Sequence, residues 1–259
     1  MRRDTRIRIV ACAVVVVAAL LFSGEPWEPL DPHTFADTRS LAGVLNAADL
    51  LSSFAIVFVG LSGVGLCWGG IAAELPGFPV RAETLVWLLF FGAVALTGAG
   101  SAFYHADPAD DTIFWDRLPL SLALAAYIAA ALTERVGLRE GLLTLPVLLV
   151  FAMLSVFFSS PGDLRYYIAL QTVAVLIVPL LCALLVGPYT RAPDWYAAAG
   201  LYVLAKIAEL CDHMVYALGQ VVSGHTLKHL LTAAAVFVLV RMLRLRVHDS
   251  TTVEIRPDA

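Results

Sequence analysis

Residues 49–70 read DLLSSFAIVFVGLSGVGLCWGG, with a carboxylate at the first position and no charged side chain in the twenty-one that follow. A helix of about 20 apolar residues covers the roughly 30 Å hydrocarbon layer of a bilayer, so this stretch reads as a helix dissolved in lipid. Outward from it, comparable runs fall at about 7–23, 49–72, 84–105, 116–133, 141–159, 164–187, 195–217 and 225–245. Pro76, Pro79, Pro108, Pro161, Pro188 and Pro193 lie in the connections, where a missing N–H does least harm to a helix. Composition agrees. The chain is 60% hydrophobic and 15% charged, with a mean hydropathy of +0.82, against about 25% charged residues in soluble domains. The expectation is an all-α membrane protein, a single helical bundle with no linker or repeat. Its formal charge of −4 says little about partners other than the lipid bilayer, and no nucleic-acid partner is expected.

Basic residues set the orientation. With the N-terminus in the cytoplasm, eight crossings return the C-terminus there. Arg2, Arg3, Arg6, Arg8, Arg81, Arg135, Arg139, Arg191, Arg241, Arg244, Arg246 and Arg256 then face the cytoplasm, and only Arg39, Arg117 and Arg165 face the other side. The first run has a second reading, a secretory signal peptide. It is long for one and lacks a clear small-x-small cleavage site, which favours a retained helix. Cys12, Cys67, Cys182 and Cys211 all fall within apolar runs, where cysteine behaves as a small hydrophobe. No disulfide framework or CxxC metal pattern is present.

On this topology the polar residues converge. His105 closes the third run, Asp116 opens the fourth, and His225 and His229 begin the eighth, all toward the non-cytoplasmic leaflet. His225 and His229 are four apart and share one helix face, the spacing by which a helix gives two imidazoles to one zinc. Ser101 and His105 share a face in the same way. Three imidazoles with an open fourth position match catalytic rather than structural zinc. Each residue also has a plainer reading. A lone His inside a membrane is commonly hydrogen-bonded filler, and Ser101 could bond its own helix's carbonyls. Asp116 could cap the fourth helix, while Asp107, Asp110 and Asp111 read as a solvated loop. The convergence favours a site, because imidazoles and carboxylates near lipid are costly unless paired or coordinated.

The order Ser101-x3-His105, Asp116 within WDRLP, then His225-x3-His229 on the last helix resembles the alkaline ceramidases of the CREST superfamily, seven-helix membrane hydrolases. GSAFYH is similar to that family's Gly-Ser…Phe-His segment, and DRLP to its Asp-Glu-Leu-Pro. The resemblance covers about residues 37 to 245. It implies a seven-helix ceramidase-like domain over 37–246, an added N-terminal transmembrane helix or signal anchor in 1–24 and a cytoplasmic tail over 247–259. It further implies Zn2+ on His105, His225 and His229, with Asp116 and Ser101 catalytic. The activity implied is a zinc-dependent hydrolase that cleaves the amide of ceramide-like N-acyl lipids with metal-activated water. Two departures stand out: Arg117 replaces the family's usual Glu, and the calcium-binding acidic N-terminal segment is only loosely echoed. Asp37, Asn46 and Asp49 could form such a Ca2+ site, although Asp49 also reads as a cap or core polar group.

A second polar patch, KIAELCDHMVYAL, lies on the seventh run. Asp212 and His213 could be partners orienting a ligand histidine, and Lys206 pairs naturally with Glu209 three residues on. Two other classes remain open: a receptor-like or structural zinc-binding bundle without turnover, and an ion pathway. The ion pathway is disfavoured because the titratable groups gather in one leaflet.

Overall fold

A backbone in hydrocarbon must satisfy its own N–H and C=O groups, so the apolar runs have helix as their solution. The computed structural model describes residues 3–22, 33–73, 77–159 and 163–249. Pro76, Pro161, Arg256 and residues 250–259 of the expected tail lie outside the described residues. Among those described, the elements are α1 (Arg3–Phe22), α2 (Ala47–Ala73), α3 (Arg81–Ala106), α4 (Asp110–Arg135), α5 (Leu138–Phe157), α6 (Arg165–Leu184), α7 (Pro193–Leu210), α8 (Asp212–Ala217) and α9 (Gly224–Leu245), with no strand. Six of them, α2 to α6 and α9, are long and apolar enough to cross a membrane. This fits a multi-pass membrane protein.

Two boundaries differ from the sequence reading. The seventh run breaks at Cys211 into α7 and α8, which releases Asp212 to bond outside its own helix. The fourth helix begins at Asp110 rather than at Asp116. Asp110 and Asp111 occupy its first turn, where the helix dipole favours carboxylates, so they are not loop residues. Asp116 lies inside the helix, and the residue at the N-cap position is Ala109.

α4 runs through the centre, packed on α3, α5 and α6. Its face is built of Ala123, Ala125, Ala126, Ala129, Ala130 and Ala131, all buried, and small residues let helices approach closely without a hydrophobic drive from water. α9 lies between α2 and α7. α1 packs on α6; Arg3 donates to the Val136 carbonyl and Arg6 to the Leu184 carbonyl at 2.7 Å. Its basic end therefore serves the orphan carbonyls ending α4 and α6.

At that same end Arg246 is 2% exposed and fully engaged. Its guanidinium donates to Glu83 at 2.6 Å, to Glu134 at 2.9 Å and to the Gly77 carbonyl at 3.0 Å. The same group lies 4.0 Å from the centre of the Tyr189 ring. The acids are shared in turn: Tyr189 donates to Glu83 at 2.8 Å and Trp195 to Glu134 at 3.1 Å.

Candidate metal centre

The opposite end is built by two close approaches of backbone. Pro119 cannot donate to the Trp115 carbonyl four residues back in α4. That freed carbonyl lies against Gly100 of α3, where an added Cβ would sit 2.0 Å from it. Only glycine allows the approach, and it brings the α4 backbone at Trp115 and Asp116 against the turn of α3 that carries Ser101. On the other side Gly224 opens α9 against the α7–α8 break; a Cβ there would meet the Ala208 carbonyl at 2.1 Å.

The first turn of α9 is then clamped by acids from other helices. Ser223 caps it, accepting from the Thr226 N–H at 2.9 Å. Buried Asp49 at the start of α2 accepts from Thr226 at 2.6 Å and Ser223 at 3.2 Å. Asp212 takes the His225 backbone N–H at 2.7 Å and the Ala36 N–H at 3.0 Å. Asp212 thus supports His225 through the backbone rather than through its ring. His213 is exposed.

These supports bring His105, His225 and His229 together. Their ligand nitrogens all lie within 4.8 Å of one another. His105 is 1% and His229 2% exposed. His229 Nδ1 lies 3.1 Å from the Asp49 carbonyl and 2.8 Å from Ser52 Oγ. A carbonyl can only accept, so Nδ1 carries the hydrogen and Nε2 presents its lone pair. That Nε2 is 3.3 Å from Ser101 Oγ, and Ser53 Oγ is 3.1 Å from the same Ser101 oxygen.

Nε2 of His105 and Nε2 of His225 point at each other across 3.2 Å. Two ligands on a tetrahedral zinc, with Zn–N near 2.0–2.1 Å, stand about 3.3 Å apart. The two facing Nε2 atoms cannot both be protonated, so at least one presents a lone pair to the other ring, while the buried His105 Nδ1 has no hydrogen-bond partner. The donor set could hold a metal ion.

A strap over residues 33–39 lies across the cluster. His33 Nδ1 is 3.0 Å from the Tyr104 hydroxyl, and its Nε2 is 3.1 Å from Asp110. Phe35 packs edge-on against His105 and His225, with ring centres 4.9 and 5.3 Å away. Arg39 binds both oxygens of Asp37, at 2.8 and 2.6 Å, and the Val221 carbonyl at 2.7 Å. The guanidinium holds the Asp37 carboxyl below the usual carboxylate range. Of the three residues considered for calcium, Asp37 is therefore ion-paired with Arg39 and Asp49 is bonded to α9. Asn46, in the left-handed region at φ 53°, directly precedes α2 and accepts at its carbonyl from the N–H groups of Asp49 and Leu50.

Sequence reading missed Ser52, Ser53, His33, Phe35 and Lys228. Lys228 donates to Glu209 at 2.8 Å and lies 3.1 Å from His225 Nε2. Its place between two histidines four apart on α9 was the available signal. Glu209 also holds Lys206, the expected pair. No protein-family model matches the chain, and no curated protein matches it.

Proposed function

We propose that the chain is a zinc-dependent intramembrane amidase acting on ceramide-like N-acyl lipids, built as a seven-helix domain of alkaline-ceramidase type with α1 added. The observation that carries this is the meeting of three imidazole nitrogens at one end of the bundle, with Ser101 Oγ 3.3 Å from His229 Nε2 and the α4 backbone at Asp116 packed against Gly100 beside it. An apolar-lined cavity lies about one helical turn away along α3, α4 and α9, bordered by Thr97, Leu120 and Thr232, which stand three or four residues from Ser101, Asp116 and His229. A wet, scissile head above an apolar chamber suits an amphipathic amide. Bound to the three histidines, zinc would supply Lewis acidity for the carbonyl and a water nucleophilic near neutral pH. Asp116 takes the proton of the attacking water on its carboxylate and returns it to the leaving amine. Ser101 Oγ, held by Ser53, donates to the carbonyl oxygen as charge builds on it. Both termini lie on the cytoplasmic side and the site faces the other leaflet. The arginines of α1 at the carbonyl ends of α4 and α6 support that arrangement. Calcium is left out of this reading, because Arg39 already neutralises Asp37.

The test pairs metal analysis of purified protein with hydrolysis of N-acyl lipids in liposomes. Asp116→Asn keeps the size and hydrogen bonding of the side chain but removes the base. It should retain zinc while hydrolysis falls about 10²–10⁴-fold. Wild-type rates in that variant with zinc bound would remove Asp116 from the mechanism. A wild type with zinc and no hydrolysis of any lipid amide or ester would leave a receptor-like or structural zinc protein.

A further inference from the structure

Lys228 makes a contact that the metal ligands alone do not require. Its Nζ lies 3.1 Å from His225 Nε2 and 2.8 Å from Glu209 Oε1, and the side chain is 18% exposed. An ammonium has three hydrogens and no lone pair, so the bond to His225 uses the imidazole's own lone pair at Nε2. The same nitrogen faces His105 Nε2 at 3.2 Å, and its lone pair is the one a metal held by the three histidines would need. One lone pair cannot serve two cations.

We propose that Lys228 is a built-in competitor of the metal: its ammonium holds His225 Nε2 until a divalent cation displaces it onto Glu209. The proposal rests on the metal-centre reading above. Glu209, on α7, makes the exchange possible, since its carboxylate binds both Lys206 and Lys228 and gives the displaced ammonium a counter-ion. An ammonium kept at His225 would stand against a divalent cation a few ångströms away, with little water to screen the repulsion. Two partners of one ion pair thus act on metal affinity with opposite signs. An ion pair that only joined α7 to α9 would shift affinity the same way whichever partner was removed, or leave it unchanged.

The experiment uses metal-free, full-length protein in detergent. Zinc affinity is measured by competition with a chromophoric chelator in wild type, Lys228→Met, Lys228→Gln and Glu209→Gln, with thermal unfolding as the check on folding. Lys228→Met and Lys228→Gln should bind zinc about tenfold or more tighter, and Glu209→Gln about tenfold weaker, within the range found when groups around metal ligands are altered. Two lysine variants guard against one failing to fold. Folded lysine variants that bind zinc no tighter than wild type overturn the exchange, as does a Glu209→Gln that binds tighter. If the wild type binds zinc and all affinities are equal, the centre stands and the exchange alone falls. If neither wild type nor any variant binds zinc, the metal centre falls and the exchange with it.

Discussion

Both ends of this bundle bury charge, and they meet the cost in opposite ways. At the Arg246 end the guanidinium finds Glu83, Glu134 and a carbonyl, and Tyr189 and Trp195 complete the acids. Arg246 closes its valences within the protein, whereas Arg135 beside it pairs with Glu134 at 2.9 Å and keeps its Nε buried without a hydrogen-bond partner. At the histidine end His105 Nδ1 and Asp49 Oδ2 are buried without a hydrogen-bond partner, and two Nε2 atoms face one another. The three imidazoles of this end could hold a metal ion. Closed networks hold helices together, and open ones invite a ligand.

The contrast can be broken by mutation. Arg246→Met takes the cation from buried Glu83 and leaves Glu134 with Arg135, so it should cost about 3–5 kcal/mol, read as a large drop in thermal unfolding temperature in detergent. A small drop would mean the network is incidental. The histidine end should answer to metal instead. Stripping zinc from protein that holds it at about a hundredfold over its Kd should cost about 2.7 kcal/mol, and His225→Ala or His229→Ala should abolish that response. Equal chelator sensitivity in those variants would place the metal elsewhere.

A smaller effect tests how the open end is assembled. Gly100→Val drives a side chain into the Trp115 carbonyl, so we expect about 1–3 kcal/mol of overpacking strain. Ser101 should also part from Asp116, lowering hydrolysis more than stability suggests. The smallest effect concerns the strap. Because Arg39 holds Asp37 below its ordinary value, the contribution is fully present above about pH 4 and is lost as pH falls through the lower folded value. Pepsin cleavage near Phe35 should rise as pH drops below that point, and Asp37→Asn should loosen the strap at every pH. An acid-insensitive strap would show that His33 and Asp212 anchor it unaided.

Much of this was legible in residue order. Periodic apolar runs placed the helices, and four-residue spacings put Ser101 with His105 and His225 with His229 on shared faces. The start of α4 was not legible, because Asp110 and Asp111 look like loop residues and only the helix dipole makes them good first-turn residues. The break at Cys211 had no local signal either. Partners on different helices were beyond spacing altogether: Arg246 meets Glu83 across 163 positions, and Lys228 reaches Glu209 only because Gly224 lets α9 approach α7.

Phe35 has one more consequence. The ring is 8% exposed and packs edge-on against two of the histidines, so we expect a solute arriving from water to have to displace it. A lipid already in the bilayer need not. Encounters at such a site are counted per area of membrane rather than per volume of buffer. For the lipid amidase proposed above, spreading the lipid among inert neighbours in the same vesicle should slow its turnover, whereas diluting the whole suspension of vesicles should leave the rate per protein unchanged.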